Sequence, residues 1–256
     1  MIIDAYTFCY NEQIRLKYYL NLYAPLCRKI TIYDNGSTDS SKDIATKYDN
    51  VIWETETYNQ NEINDKILRN VKNNCWKQSK DADWVIVGDV DEILYHKDGL
   101  NNYLMYLLNE TNKRIIRATG FDMVSTRLPT HKGNFYEHEE FQCGVRSELF
   151  CDKTCIFSPS SINEINYQTG AHHCSPVINR HRWSGETEEM SLYDGELKLL
   201  HYKYLSKESF VNQQKLSGER MSEINKSRNW GFQYLYESEK QEQIFDEKLR
   251  NRKKII

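Results

Sequence analysis

The sequence predicts an α/β fold in which a mostly parallel central sheet is flanked by helices. Two observations predict it. Short apolar runs alternate with segments of helical period over the first hundred residues. That alternation implies parallel strands covered on both faces. Polar clusters stand at three of the predicted strand ends, where open parallel sheets bind ligands.

Ile2 to Phe8 reads as a buried strand. Asn11 to Leu26 reads as a helix, with Ile14, Tyr18 and Leu22 on one face and Pro25 near its end. Lys29 to Tyr33 is a second strand, followed by the turn cluster Asp34-Asn35-Gly36-Ser37-Thr38-Asp39-Ser40. Ser41 to Lys47 forms a short helix and Val51 to Glu54 a third strand. Glu62 to Gln78 is helical, with Ile63, Ile67, Val71 and Cys75 at spacings of four. Trp84 to Val87 is a fourth strand that runs into Gly88-Asp89. Leu100, Leu104, Leu107 and Leu108 mark another helix.

After Arg114 the pattern changes. Ile115 to Phe121, Gly144 to Phe150, Thr154 to Phe157 and Leu197 to Leu205 read as strands without regular helices between them. Pro129 to Gln142 reads as a long loop. Ser206 to Met221 and Phe232 to Leu249 read as helices. No internal repeat or low-complexity linker divides the chain, so residues 1–256 read as a single domain with a loop-rich second half and C-terminal helices.

Composition narrows the function. The 18 Tyr, 9 Phe and 5 Trp argue against disorder, and a mean hydropathy of -0.76 suits a soluble protein. A net charge of -3 and a pI near 6.2 argue against a general nucleic-acid binder. The seven cysteines form no CxxC pair, and with no leader-like N-terminus they suggest a reducing, cytoplasmic setting. Cys151, Cys155 and Cys174 near His172 and His173 have the residue types of a zinc site. Their spacing fits no common finger, and they read better as scattered buried thiols. The basic tail Arg250 to Ile256 reads as a frayed helix end or as a weak peripheral contact with the inner face of a membrane.

Asp89-Val90-Asp91-Glu92 follows a buried strand, so its carboxylates are pre-positioned. Two Asp at i and i+2 can hold a hard cation, with phosphates and water completing the shell. The Asp34 turn can present a carboxylate to the N3–H of a uracil ring. Either cluster alone also reads as an ordinary solvated turn; their joint placement on one sheet edge is the stronger sign.

Tyr10-Asn11-Glu12, Asp34 to Asp39, Arg69-Asn70 and Asp89 to Glu92 occur in an order and spacing that resemble family 2 glycosyltransferases of GT-A fold. The resemblance covers the first 110 residues. Thr169-Gly170-Ala171-His172-His173 and the run His201 to Phe210 resemble a capsule and lipopolysaccharide subgroup.

This resemblance implies a nucleotide-sugar donor, most simply a UDP-sugar, a Mn2+ or Mg2+ cofactor, and a glycan or glycolipid acceptor. Residues 1–110 would then form the donor half and 111–205 the acceptor half. Thr7, Tyr10, Asn11, Glu12 and Asp34 would hold base and ribose. Asp89 would lie near ribose or metal-bound water, and Asp91 would ligate the metal. His172, His173 or His201 would complete its shell, and Arg69, Arg146, Lys153 or Lys203 would help neutralise the diphosphate. An inverting reaction needs a base. Glu140 is the first choice, Glu137 and Glu139 share its loop, and Asp122 and Glu164 are rivals.

Overall fold

The computed structural model describes residues 1–58, 61–147, 151–193 and 195–256. The first half follows the predicted alternation. Strands β1 (Ile3–Cys9), β2 (Lys29–Asp34), β3 (Val51–Glu54) and β4 (Trp84–Asp89) pair in parallel in the order β4-β1-β2-β3. Every residue of β1 is buried, as a central parallel strand requires. Helices α1 (Gln13–Tyr23), α2 (Ser41–Ala45) and α3 (Asp65–Asn74) supply the crossovers. Asn64 caps α3 by accepting from the Ile67 amide. Leu16, Tyr19, Leu20 and Tyr23 of α1 pack into the larger of two main apolar clusters.

A short strand that the sequence reading did not separate, β5 (Glu92–Tyr95), leaves the acidic motif at once. It leads to α4 (Leu100–Glu110) and then to β6 (Ile115–Ser125). β6 is longer than the predicted strand because it serves two sets of partners. Its first part pairs with β8 (Lys153–Phe157), which joins it to β4; its second part pairs with β7 (Cys143–Arg146). The last three residues of the predicted strand Gly144 to Phe150 lie outside the described residues. The predicted loop from Pro129 to Gln142 contains two single helical turns, Phe135–Glu137 and Glu139–Phe141.

Beyond β8 come the small hairpin of β9 (Ile162–Glu164) and β10 (Val177–Ile178), the turn helix α5 (Thr187–Met190), and β11 (Ser191–Leu192), which pairs with β6. Strand β12 (Lys198–Leu205) inserts between β5, antiparallel, and β6, parallel. Helices α6 (Lys207–Glu219), α7 (Glu223–Ser227) and α8 (Ser238–Asn251) follow. Phe232 to Leu235 forms a separate short turn, so the last predicted helix is split in two. The basic tail is not frayed. Strand β13 (Lys253–Lys254) pairs with β7, and Ile255 and Ile256 pack on the core.

Candidate active site

Strand register brings the three polar clusters together. Cys9 of β1 stands opposite Asp34 of β2, and Phe8 opposite Asp89 of β4, so all three strands end on one sheet edge. The first two clusters are bonded directly. Asn11 Oδ1 accepts from the Thr38 amide at 2.7 Å and the Asp39 amide at 3.2 Å, and the Asn11 amide donates to Ser37 Oγ at 2.9 Å. Asn11 has φ of 52°, a left-handed conformation that Asn tolerates better than most residues. Asp34 is buried and accepts from the Ser37 amide at 3.0 Å, which sets the turn. Tyr10 lies under the Arg220 guanidinium, 3.0 Å from carbon to ring centre, and Arg220 also donates to the Asn35 carbonyl at 3.1 Å. The end of α6 thus closes over the edge that carries Tyr10 and Asp34. Thr7 is fully buried within β1, beneath this edge rather than on its surface.

The acidic motif is completed from the far half of the chain. β12 places His201 opposite Glu92 on one side and Asp122 on the other, and the Tyr202 amide donates to the Asp91 carbonyl at 2.8 Å. The register with β6 then shifts between His201 and Tyr204. His201 Nε2 lies 3.3 Å from Asp91 Oδ2, and His201 Nδ1 lies 2.9 Å from Asp122 Oδ1. Lys248 of α8 donates to Asp122 Oδ2 at 2.7 Å. Burial would raise the Asp91 carboxyl, but His201, then Arg15 and Lys153, reverse this and hold it below the usual carboxylate range. Burial likewise works against charge on His201, and the carboxylates of Asp91 and Asp122 overcome it, pushing the imidazole well above its ordinary value.

Asp89 meets a different set of cations. Lys72 of α3 donates to its Oδ1 at 2.7 Å, and Lys153 of β8 lies 3.8 Å from Oδ2 while bonding Glu92. Glu12 is held by Arg15 at 2.9 Å and by Gln213 at 2.7 Å. Arg15 in turn donates to the carbonyls of Tyr202 and Lys203, so the helix after the first motif clamps the strand that carries His201. Sequence reasoning missed Lys72 and Arg15. Lys72 lies one turn beyond Arg69 on α3, and no local rule in the sequence distinguishes the two.

Other candidates lie elsewhere or are already engaged. Arg69, with Lys66, Ile224, Arg228 and Trp230, lines a cleft of about 300 Å³ between α3 and α7. Arg146 binds Asp152 at 2.6 Å. Lys203, next to the Arg15 clamp, has its charge disfavoured by burial, partly offset by Asp122 and Asp91. His172 follows the turn Thr169–Ala171, which packs on α3, and His173 uses its carbonyl to accept from the Gln168 amide. Glu164 pairs with Lys77 at 2.6 Å, and Glu137 accepts from Asn134 at 3.0 Å. Glu139 is exposed.

Glu140 Oε1 accepts from Ser125 Oγ at 3.0 Å and from the Thr126 amide and hydroxyl, each at 3.1 Å; Arg252 lies 3.6 Å away. Partial burial would raise its carboxyl, and these donors hold it below its ordinary value instead. This is the geometry of an anchor for the loop. Glu140→Gln is therefore expected to cost about 1–2 kcal/mol of stability, because it replaces a charged acceptor by a neutral one. Thermal unfolding checks it. An unchanged melting temperature with transfer reduced by orders of magnitude would instead make Glu140 the base.

Paired carboxylates thus stand at the end of a buried parallel strand, with a histidine facing the second of them. The sequence matches the model for glycosyltransferase family 92 over residues 27–252, and the chain belongs to that family. No curated protein matches it. Many solved structures are similar, among them these two. One is TarS residues 1–349 from S. aureus, at 13% identity and a TM-score of 0.44, over 90% of this chain and 69% of that one. The other is glucosyl-3-phosphoglycerate synthase from Mycobacterium tuberculosis in complex with Mn2+, UDP-glucose and phosphoglyceric acid. It matches at 16% identity and a TM-score of 0.32, over 48% of this chain and 44% of that one. Among the described residues, no helix is long and apolar enough to cross a membrane.

Proposed function

We propose that the chain is a metal-dependent, inverting glycosyltransferase that moves a sugar from a UDP-sugar to a glycan or glycolipid acceptor of the capsule or lipopolysaccharide kind. The observation that carries this reading is the 3.3 Å approach of His201 Nε2 to Asp91 Oδ2 at the end of a buried parallel strand. Two ligand atoms at about 2.1 Å from one ion lie about 3–3.4 Å apart, so this pair fits a shared divalent cation. Asp122, on Nδ1, would fix the imidazole tautomer that leaves the Nε2 lone pair for the metal. Mn2+ or Mg2+ held there would stabilise the charge that develops on the leaving diphosphate.

The chain's own groups do the rest. Lys72 and Lys153 stand on the Asp89 side, where they can meet phosphate oxygens once a donor enters. Asp34, with Arg220 over Tyr10, forms the base and ribose end of the cleft. At the tail, Lys253 and Lys254 are exposed, which would support only a weak contact with an anionic membrane.

The test is calorimetry with UDP in the presence and absence of Mn2+, followed by a screen of nucleotide sugars for metal-dependent hydrolysis. UDP binding that ignores Mn2+ would overturn the reading. Within it, Asp34→Ala is expected to weaken UDP binding about tenfold or more while leaving Mn2+ binding nearly unchanged, since one hydrogen bond to a charged group contributes about 1.5–3 kcal/mol. Asp34→Asn keeps an acceptor for the Ser37 amide and separates the loss of the base contact from loss of the turn. Calorimetry showing equal UDP affinity in both variants and the parent would remove Asp34 from the nucleotide site.

A further inference from the structure

We propose that the Nδ1 edge of the His201 ring, with Cys151 and Asp122, forms a zinc-selective site whose occupation switches transfer off. The inference rests on the reading of His201 as a ligand of the catalytic metal. Among the described residues, Asp122, Cys151 and His201 form a group whose ligand atoms all lie within 4.8 Å of one another. The individual separations are 2.9 Å from His201 Nδ1 to Asp122 Oδ1, 3.5 Å from Nδ1 to Cys151 Sγ, and 3.4 Å from Sγ to Oδ1. A tetrahedral zinc ion with ordinary Zn–S, Zn–N and Zn–O bonds needs sulfur about 3.5 Å from each of the other two atoms, and those two about 3.3 Å apart. Only the shortest side of the triangle has to open, by a few tenths of an ångström.

The chemistry favours zinc over the catalytic ion. A thiolate is a soft ligand that prefers Zn2+ to Mn2+ or Mg2+. Cys151 thiolate and Asp122 carboxylate offset the charge of Zn2+, and Asp91 on the same imidazole offsets that of Lys248, which suits a buried position. Lys248 stays on the second Asp122 oxygen and orients it. The thiol reaches this place because β6 carries Gly120, where a Cβ would overlap the carbonyl group of Cys151. The other cysteines are not drawn in: Cys155 is buried within β8, and Cys174 pairs through its backbone with Tyr167. The His201 side chain is 18% exposed, while Cys151 and Asp122 are buried.

Switching follows from the two nitrogens of one ring. Zinc bonding to Nδ1 takes the lone pair there and leaves the remaining ring proton on Nε2. A protonated Nε2 cannot ligate a metal beside Asp91. Uptake of Zn2+ by the protonated site releases two protons to solvent, one from the Cys151 thiol and one from Nδ1. No other bond is made or broken.

The experiment uses the full chain and Zn2+ in competition with a chromogenic chelator. The parent is expected to take up one equivalent, and Cys151→Ser to bind it about 100-fold more weakly. Co2+ in place of zinc should give thiolate-to-metal charge-transfer absorption that Cys151→Ser lacks, with Cys151→Ala as a second check. Zn2+ that blocks Mn2+-dependent donor hydrolysis by the parent should leave Cys151→Ser at its own zinc-free rate. Equal zinc affinity in parent and variants, persistence of the thiolate absorption in both variants, or equal inhibition would overturn the proposal. A thiolate signal lost with Cys151, in a chain that turns over no donor, would support the site and count against the transferase reading alone.

Discussion

Asp91→Asn is expected to reduce transfer by about 1,000-fold or more, equivalent to about 4 kcal/mol of transition-state stabilisation. The substitution is nearly isosteric, so packing is preserved. What it removes is the anionic oxygen that faces His201 Nε2 at 3.3 Å. An amide oxygen is a much poorer ligand for a hard dication, and charge developing on the leaving diphosphate then lacks its counterion. The metal-free fold should lose the part of its stability that His201 and Arg15 supply through this carboxylate, without collapsing. Asp91 sits between His201 and Arg15 on one side and the like charges of Asp89 and Glu12 on the other, so removing its charge relieves repulsion as well as attraction. The measurements are initial transfer rates at saturating Mn2+ and thermal unfolding of the metal-free protein. Near-normal turnover with Asn at 91 would sink the metal assignment. Loss of activity with a collapse in melting temperature would mean that the carboxylate is structural.

The sequence revealed the parts of this site that local rules control. β1 to β4 and the helices between them follow from apolar period, and the convergence of the Asn11, Asp34 and Asp89 clusters follows from their placement at parallel strand ends. What escaped was set by pairings far apart in the chain. The sequence alone offers His201 on equal terms with His172 and His173, because only the register of β12 against β5 and β6 separates them. Asp122 reads from sequence as a rival base, and its contacts in the fold are with His201, Cys151 and Lys248, the last 126 residues further on. On α3 the motif pointed to Arg69, whereas it is Lys72, one turn later, that reaches Asp89. Glu140 illustrates the converse. Its partners Ser125 and Thr126 are near in sequence, but a loop without period gives no sign of which way a carboxylate turns. Cys151 read as one buried thiol among several until β6 brought Asp122 beside it.

The second large effect concerns His201. His201→Ala is expected to raise the Mn2+ concentration needed for half-maximal transfer by about 100-fold or more, since it removes a ligand outright. The parent should also show a pH dependence that the variant lacks. Without metal, Asp91 and Asp122 hold the imidazole protonated well above its ordinary range, so Mn2+ must displace a proton to bind Nε2. Apparent Mn2+ affinity of the parent should therefore fall about tenfold for each unit that pH drops below the raised value. The alanine variant has no such proton to lose. Its curve should be flat over that window, and the gap between the two proteins should narrow as pH falls. Stability of the metal-free parent should run the other way. A histidine whose folded value is raised contributes stability that is fully present below its unfolded value of about 6.5 and is lost as pH rises through the folded value. The depressed carboxyls of Asp91 and Asp122 contribute stability that is present above about 3.9 and is lost as pH falls through their folded values. Metal-free protein should thus melt highest in mildly acidic solution, while metal affinity rises with pH up to the raised His201 value and then levels off. Activity titrations with Mn2+ and melting curves over the same pH series check both slopes. If His201→Ala kept the parent's Mn2+ requirement and pH slope, the shell would consist of carboxylate, phosphate and water alone, and His201 would be a structural partner of Asp122.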